Sequence, residues 1–353
     1  MTVGDLVAAL VGQRVEFVVV GSAGLRARGM EAAPEDLDVV PEPGANNLRR
    51  LLMALEGLSL VSEPLTGTWR RDAFGDMTFV AFDAPREVVA DPTRPATLDR
   101  PFTGPAGSVD VMLGDLDRYG HLRPRSQMME LGGSMVPIAD IDDLLALMTT
   151  ARRAKDAARL RSVRDLQRRE KQTERRRTEA AVMLARLGAG PRRDQVLAAL
   201  DLLETGRDPF ERGSYRPGHI TASAFVVHPT AEAMVLVHHV KLGMWVQPGG
   251  HVEPTDPTLE AAARREVAEE TGLEGLEPLG PIDLDVHVFP ARSDTPEHLH
   301  FDLRWAYRAS MAALTVGDGS AAVEWVPLAE VRRMDASLAR PAEALSRTNV
   351  TAE

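Results

Sequence analysis

The segment from Gly249 to Leu273 constrains the fold more than any other, because its second half crowds acids onto one helical face. Asp256 and Pro257 are favoured at the N-cap and the first position of a helix, and Gly272 is a frequent stop. The pattern therefore predicts a helix over 257–271. One face of this helix begins with apolar residues and continues with three glutamates: Leu259, Ala262, Ala263, Glu266, Glu269 and Glu270.

Acids in the last turns of a helix oppose the helix dipole, each by roughly 0.3–1 kcal/mol. Like charges three or four residues apart add to this cost, and Arg265, four residues before Glu269, offsets only part of it. A divalent cation would compensate, because oxygen ligands on one rigid face suit Mg²⁺ or Mn²⁺. The alternative is a solvated acidic face without a ligand.

The loop before this helix ends in Gly249 and Gly250, which allow backbone N–H groups to approach an anion closely. Loop and helix together resemble the Nudix hydrolase signature: Gly, five residues, Glu, seven residues, Arg-Glu, an aliphatic residue, any residue, Glu-Glu, any residue, Gly and an aliphatic residue. Here five residues separate Gly250 from Asp256, and eight separate Asp256 from Arg265. The sequence departs from the signature in that aspartate and in one extra residue.

The resemblance implies an α/β/α sandwich around a mixed sheet, and hydrolysis of a nucleoside diphosphate linked to another group. It implies that Glu266, Glu269 and Glu270 are catalytic metal ligands, that one of them aligns the attacking water, and that Arg265 orients them by ion pairing. Gly249 and Gly250 are expected to contact the nucleotide. A bound metal would neutralise pyrophosphate charge and lower the pKa of water. The leaving group stays open, since specificity lies in loops outside the signature.

Further along the chain, His298, His300 and Asp302 alternate in a predicted strand and therefore share one face. Two interpretations are open for this face. It either forms an additional metal or phosphate site, or its histidines have satisfied hydrogen bonds and line the substrate cleft.

The N-terminal half contains a second group of acids. The apolar run 17–20 leads into Gly21 and Ser22, a strand-to-helix turn typical of phosphate binding. After thirteen residues come Asp36 and Asp38, which on a strand point toward one cation, and Asp110 interrupts a later apolar strand. Two acids from one strand and one from a neighbour are what two-metal nucleotidyl transfer requires.

Residues 10–160 thus resemble the minimal nucleotidyltransferase superfamily, with its Gly-Ser, Asp-x-Asp and distant third Asp. The resemblance implies that Asp36, Asp38 and Asp110 bind metals, that Asp110 also aligns the acceptor nucleophile, and that Gly21 and Ser22 hold nucleotide phosphates. The alternative is an ordinary α/β domain with Asp-rich turns.

The 353 residues suffice for two domains, and we predict α/β folds in both. They are a nucleotidyltransferase-like domain at 1–157 and a Nudix domain at 196–347, joined by a basic helical connector at 158–195. Residues 151–193 contain fifteen Arg or Lys and five Asp or Glu. This run is predicted to be a solvated helix bridging the domains, or else a surface for nucleic acid or an acidic partner.

The net charge of −11 argues against a general nucleic-acid binder, and no apolar run is long enough to span a membrane. The absence of cysteine excludes disulfides and fits a cytoplasmic protein. The leading hypothesis is a Mg²⁺-dependent Nudix hydrolase fused to a nucleotidyltransferase that acts on related nucleotides. The alternatives are a nucleotide-sensing regulator, and a transferase whose Nudix half aids substrate handling. The oligomeric state is open.

Overall fold

The computed structural model describes residues 2–31, 34–71, 77–114, 117–148, 154–188, 192–205, 207–230, 232–240, 242–292, 295–317 and 319–349. The chain divides into two compact units between Arg168 and Arg169, a point inside the predicted connector. None of the helices in the described part of the chain has both the length and the apolar composition of a membrane span.

The first unit contains a seven-stranded mixed sheet, a separate hairpin and short helices. In chain order its elements are α1 (Val3–Gly12), β1 (Phe17–Val19), α2 (Gly21–Ala27), β2 (Leu37–Pro41), α3 (Ala45–Gly57), β3 (Val61–Ser62), β4 (Leu65–Arg71), β5 (Met77–Arg86), a 3₁₀ turn (Pro95–Thr97), β6 (Pro101–Gly104), β7 (Gly107–Val111), α4 (Arg118–Leu122), β8 (Gln127–Leu131), β9 (Ser134–Ile138), α5 (Ile141–Met148) and the start of α6 (Ala154–Leu187).

The large sheet of this unit has the strand order β3-β6-β7-β2-β1-β9-β8, and its central strands β1 and β2 are largely buried. Strand β1 shows why: Phe17 and Val19 pack with α1 and α3 on one side. Val18 and Val20 pack with α4, α5 and the start of α6 on the other. Apolar residues at every position are typical of a strand covered by helices on both faces.

The second unit begins with the rest of α6 and builds a second mixed sheet. Its further elements are α7 (Arg193–Glu204), β10 (Gly218–Val227), β11 (Ala233–His239), β12 (Met244–Val246), β13 (Gly249–His251), α8 (Leu259–Thr271), β14 (Glu277–Phe289), β15 (His298–Arg308), β16 (Ser320–Pro327), α9 (Leu328–Val331) and α10 (Ala336–Asn349). The sheet order is β12-β11-β10-β15-β14, with β13 beside β10 and β16 beside β11.

Two apolar cores cover the two faces of this second sheet. The end of α6, α7 and α8 pack on one face through residues such as Leu184, Val196 and Leu259. Helices α9 and α10 pack on the other through Val331 and Leu345. The predicted α/β/α sandwich is therefore confirmed for the second unit.

The acid-rich helix α8 begins later than the sequence predicts. Its N-cap is Thr258, whose hydroxyl accepts a hydrogen bond from Ala261 N at 3.0 Å, and not Asp256. The Asp256 carboxylate instead accepts hydrogen bonds from Glu253 N and from Arg265. Gly272 ends the helix in a left-handed conformation, as predicted.

The predicted solvated helix is wrong for the part of α6 inside the second unit. Arg176 is only 5% exposed and donates to the backbone carbonyls of Glu253 and Asp256. Ala180 and Leu184 lie in the apolar core. Guanidinium groups that donate to loop carbonyls explain how a highly basic segment becomes buried.

Glu179 on α6 caps α8, because its carboxylate accepts hydrogen bonds from Leu259 N at 2.8 Å and Glu260 N at 2.9 Å. We expect Glu179→Ala to lower the free energy of unfolding of the second unit by about 1–2 kcal/mol, the cost of a lost charged cap. Urea denaturation measures this. The control is Glu174→Ala, which removes an exposed carboxylate from the same helix. Equal effects of both variants would contradict the capping role.

Helices α7 and α10 also form after the basic run. Pro341 inside α10 disfavours helix in the sequence, but burial of Leu338 and Leu345 outweighs that preference.

Candidate active site

Arg265 is the centre of an ion-pair network at the start of the acid cluster. Its Nη1 donates to Glu266 Oε1 and Glu269 Oε2, at 2.9 Å each. Its Nε and Nη2 donate to the two oxygens of Asp256 at 3.0 and 3.1 Å, and Nη2 also donates to His251 O at 2.9 Å. Burial lowers the pKa of Arg265, but the bond to Asp256 and the charge of Glu266 outweigh it and raise that pKa. The loop and the helix are thereby held together.

The two glycines of β13 lie directly against the acids. Gly249 N donates to Glu270 Oε2 at 3.0 Å. A Cβ on Gly249 would lie 2.2 Å from Ser223 Cβ, and a Cβ on Gly250 would lie 2.6 Å from Glu266 Oε1. Larger residues do not fit at either position without moving a strand or a carboxylate. Their assignment to bind the nucleotide stays a prediction.

Burial gives the Glu270 carboxyl an unusually high pKa. It raises the pKa of that carboxyl to about 7, the Gly249 N–H bond opposes the rise, and the charges of Glu266 and Glu269 add to it. Burial also raises the pKa of Glu266, although the Arg265 charge opposes that change. Acids with pKa values near neutrality are frequent at catalytic sites.

The raised pKa of Glu270 predicts how the stability of the metal-free protein depends on pH. Between pH 4.5 and about 7 the folded protein keeps a proton on Glu270 that the unfolded chain has released. The free energy of unfolding therefore falls as pH rises through this interval, by about 2–3 kcal/mol in total. Glu270→Gln should remove this loss, so in EDTA the variant should be more stable than the parent protein at pH 8 and similar at pH 4.5. Thermal unfolding at both pH values checks this, and equal stability at pH 8 would contradict it.

A buried polar layer lies on the face of the second sheet that carries Asp302. This aspartate accepts hydrogen bonds from Thr221 (3.2 Å), Ser223 (2.7 Å), Gln247 (3.1 Å) and Arg304 (2.7 Å). The acid is therefore fully engaged by side chains from β10, β15 and the loop before β13. Asp302 is not part of the cluster that His298 and His300, earlier on β15, form with His219.

Arg304, only 2% exposed, is the cation of this layer. Besides Asp302 it contacts Asp283 at 3.3 Å, Asp285 at 3.1 Å and the carbonyl of Ser337 at 3.0 Å. Arg304 thus contacts three carboxylates from two strands, of which Asp283 and Asp285 are also paired with Arg192, and Asp283 with Arg340. Arg304 was not among the predicted site residues, although it continues the alternating polar positions of β15.

His298 and His300 lie together with two histidines that the sequence analysis did not select, His219 and His251. The ring of His219 lies 5.0 Å from that of His298 and 4.8 Å from that of His300. The ring of His251 lies 5.1 Å from that of His219. Burial lowers the pKa of His219 and of His251 to about 4, and that of His300 further. The alternating polar residues of β10 (His219, Thr221 and Ser223) were the available sequence signal.

In the first unit the three predicted acids come together. Carboxylate oxygens of Asp36, Asp38 and Asp110 lie within 4.8 Å of one another. Strand β2 runs parallel to β7, and Asp38 is directly opposite Asp110. Burial and the charge of Asp36 raise the pKa of Asp110. Gly21, with φ +60°, lies against Asp38, since a Cβ there would be 1.8 Å from its Oδ2.

Ser22 follows Gly21 at the start of α2, the helix that directly precedes β2 in the chain. This placement fits the predicted site, but the roles of Gly21 and Ser22 toward phosphate and of the three aspartates toward metal stay predictions.

Comparison with known proteins concerns the second unit. The family model described as "NUDIX domain" matches residues 217–346. A NUDIX-family hydrolase from Clostridium perfringens shares 19% identity over 36% of this chain and 97% of its own, with a TM-score of 0.29. A Nudix hydrolase from M. smegmatis shares 21% identity over 38% of this chain and 88% of its own, with a TM-score of 0.30. A MutT NUDIX hydrolase from Burkholderia pseudomallei shares 21% identity over 35% of this chain and 95% of its own, with a TM-score of 0.28.

The family match does not extend to the first unit, so the nucleotidyltransferase resemblance is supported by its residues alone. For the second unit the match includes the glycine loop, the acid helix and the strands that hold the buried polar layer. Residues 217–346 of this chain are therefore a Nudix domain.

Proposed function

We propose that the Nudix domain hydrolyses a nucleoside diphosphate linked to another group, with Mg²⁺ or Mn²⁺ as cofactor. The observation that carries the proposal is the arrangement of three glutamates on the last turns of α8. Arg265 holds Glu266 and Glu269, and the Gly249 amide holds Glu270. A divalent ion and a charged substrate would offset the repulsion within this cluster.

The donor chemistry of these residues suits such an ion, although their carboxylates are not among the side-chain groups of the described residues whose ligand atoms all lie within 4.8 Å of one another. Glu266, Glu269 and Glu270 all offer carboxylate oxygens, the hard donors that Mg²⁺ and Mn²⁺ prefer. Burial raises the pKa of Glu270, the Gly249 N–H bond opposes the rise, and the charges of Glu266 and Glu269 add to it. When bound, the ion would neutralise pyrophosphate charge and lower the pKa of a water molecule.

Glu270 is suited to move the proton of the attacking water. Its Oε2 is engaged by Gly249 N, which leaves Oε1 to accept the proton. A carboxylate within hydrogen-bond reach of a water molecule can take its proton. Arg265 orients the other two carboxylates and contacts the β13 carbonyl of His251. We therefore assign Glu270 as the general base and Arg265 as a positioning residue.

The test is a substrate panel. The full chain is incubated with nucleoside triphosphates, dinucleoside polyphosphates, nucleoside diphosphate sugars and ADP-ribose, with Mg²⁺, Mn²⁺ or EDTA, and products are identified by mass. We expect metal-dependent cleavage of a pyrophosphate bond in at least one conjugate. Nucleotide binding without turnover of any member would contradict hydrolysis and support a nucleotide-sensing regulator.

A second activity is proposed for the first unit, because Asp36, Asp38 and Asp110 converge as two-metal nucleotidyl transfer requires. In this proposal Asp36 and Asp38 hold metal ions and Asp110 also aligns the acceptor hydroxyl. Labelled nucleoside triphosphates are incubated with the full chain, and transfer of label to protein, nucleotide or RNA acceptors is measured. Asp38→Asn should abolish transfer, whereas Asp83→Asn, which changes an exposed carboxylate on β5, should not. Transfer retained by Asp38→Asn would contradict this assignment.

A further inference from the structure

Three histidines of the Nudix domain converge on two neighbouring strands of its sheet. Strands β10 and β15 are parallel, and their register places His219 directly opposite His300. His298 lies two residues earlier on the same face of β15. One ring nitrogen from each of the three lies within 4.8 Å of the other two. Their exposed fractions are 0%, 8% and 5% for His219, His300 and His298, so the cluster is buried.

Hydrogen bonds to backbone carbonyls orient two of the rings. His219 Nδ1 lies 3.3 Å from Ser214 O, and His298 Nδ1 lies 2.7 Å from Pro296 O. A carbonyl can only accept, so each Nδ1 carries a proton, and in a neutral imidazole of this tautomer Nε2 presents a lone pair. A histidine that binds metal is usually fixed in this way by a carbonyl on its other nitrogen.

Among the described residues, the Nε2 atoms of His298 and His300 contact each other. His298 Nε2 lies 3.1 Å from His300 Nε2, a hydrogen bond that requires the proton of His300 to be on Nε2. Among the described side chains, His219 Nε2 is buried without a hydrogen-bond partner. A buried nitrogen left unpaired costs about 1–3 kcal/mol, so a ligand that accepts these lone pairs would stabilise the domain.

The chemistry of the cluster favours a cation over a phosphate. Lone pairs repel an anion, whereas three imidazoles around one ion match a zinc-type site. Zn–N bonds of about 2.0–2.1 Å in tetrahedral geometry place ligand nitrogens roughly 3.3 Å apart, close to the His298–His300 separation. Imidazole ligands suit Zn²⁺, Ni²⁺ or Cu²⁺, whereas Mg²⁺ requires oxygen.

We propose that His219, His298 and His300 bind a divalent transition-metal ion of the Zn²⁺ class through their Nε2 atoms. Three protein ligands leave a coordination position for water or for a group of the substrate. The site is distinct from the glutamate cluster in its ligands and in its metal preference. It is connected to that cluster by β13, since His251, which contacts the His219 ring, follows Gly249 and Gly250. The proposal does not depend on hydrolysis.

The test uses tag-free full-length protein stripped of metal by a chelator. Zn²⁺ is titrated calorimetrically in the presence of millimolar Mg²⁺, and X-ray absorption of the Zn²⁺-loaded protein identifies the ligands. We expect one tight site per chain, three imidazole ligands, a higher melting temperature, and no competition from Mg²⁺. Failure of Zn²⁺ to bind, or an oxygen-only ligand shell, would overturn the proposal without affecting the proposed hydrolysis.

Variants place the ion on these histidines. His298→Gln and His300→Gln should each weaken Zn²⁺ binding at least about a hundredfold, since even indirect partners of a metal ligand contribute 10–100-fold. His238→Gln, on β11, and Glu270→Gln should leave Zn²⁺ affinity unchanged. Loss of Zn²⁺ binding in Glu270→Gln would assign the ion to the glutamates instead. Stabilisation by inorganic phosphate and not by Zn²⁺ would identify an anion site. If a histidine variant does not fold, the absorption spectrum of the parent protein still decides the ligand set.

Discussion

Glu270→Gln is expected to reduce metal-dependent hydrolysis by about 10²–10⁴-fold at saturating substrate, the range attributed to a general base. The amide cannot accept a proton from water, yet it has nearly the same shape as the carboxyl. KM should change little, because Arg265 still holds Glu266 and Glu269 in place. Steady-state kinetics with the substrate found in the panel measures both constants.

The matched control is Glu274→Gln, which changes an exposed glutamate shortly after the helix. It should retain parental kcat and KM. Because Glu270→Gln is expected to be at least as stable as the parent protein in EDTA, a loss of activity cannot be attributed to unfolding. Activity of Glu270→Gln within a few-fold of the parent would remove Glu270 from the mechanism.

Arg304→Met is expected to cause the largest loss of stability. The substitution removes the buried cation that contacts Asp302, Asp283 and Asp285. Asp285 keeps its pair with Arg192, and Asp283 keeps its pairs with Arg192 and Arg340, so Asp302 is the carboxylate that loses its cation. Leaving a buried carboxylate without its partner costs about 3–5 kcal/mol. Chemical denaturation at pH 7 measures the free energy of unfolding.

Arg308→Met provides the comparison on the same strand. Arg308 is paired with the largely exposed Glu277 at 4.0 Å, and such surface pairs contribute at most about 1 kcal/mol. A similar loss for the two variants would show that the buried layer is not what stabilises this face of the sheet.

The acid helix was predictable because its information is local. Helical spacing places Glu266, Glu269 and Glu270 on one face whatever surrounds them, and Gly272 ends the helix through its own backbone conformation. The start of the helix was predicted wrongly because Asp256 can either cap the helix or pair with Arg265. Its pairing with Arg265 across nine residues outweighs a local cap.

The basic run was misread because composition does not reveal what an arginine contacts. Arg176 donates to carbonyls some eighty residues away, contacts that depend on how the loop before α8 folds. Glu179 is similar, since its cap on α8 requires two distant elements to meet. A run with few apolar residues therefore became part of the core of the second unit.

Only part of the histidine cluster could be predicted from the sequence. Alternation along β15 gives the shared face of His298 and His300, whereas His219 joins them only through the parallel pairing of β10 with β15. In the first unit, the pairing of β2 with β7 likewise brings Asp110 opposite Asp38, and there the order of motifs was enough to predict the meeting.

The central claim is that water, activated at the glutamates of α8, cleaves a pyrophosphate bond. The most direct measurement is hydrolysis in H₂¹⁸O with Mg²⁺, followed by mass analysis of both phosphate products. We predict that a single heavy oxygen enters one phosphate product, that no cleavage occurs in EDTA, and that Glu270→Gln forms labelled product about 10²–10⁴-fold more slowly. Cleavage without incorporation of heavy oxygen into a phosphate, or an unchanged rate of labelled product formation in Glu270→Gln, would contradict the account.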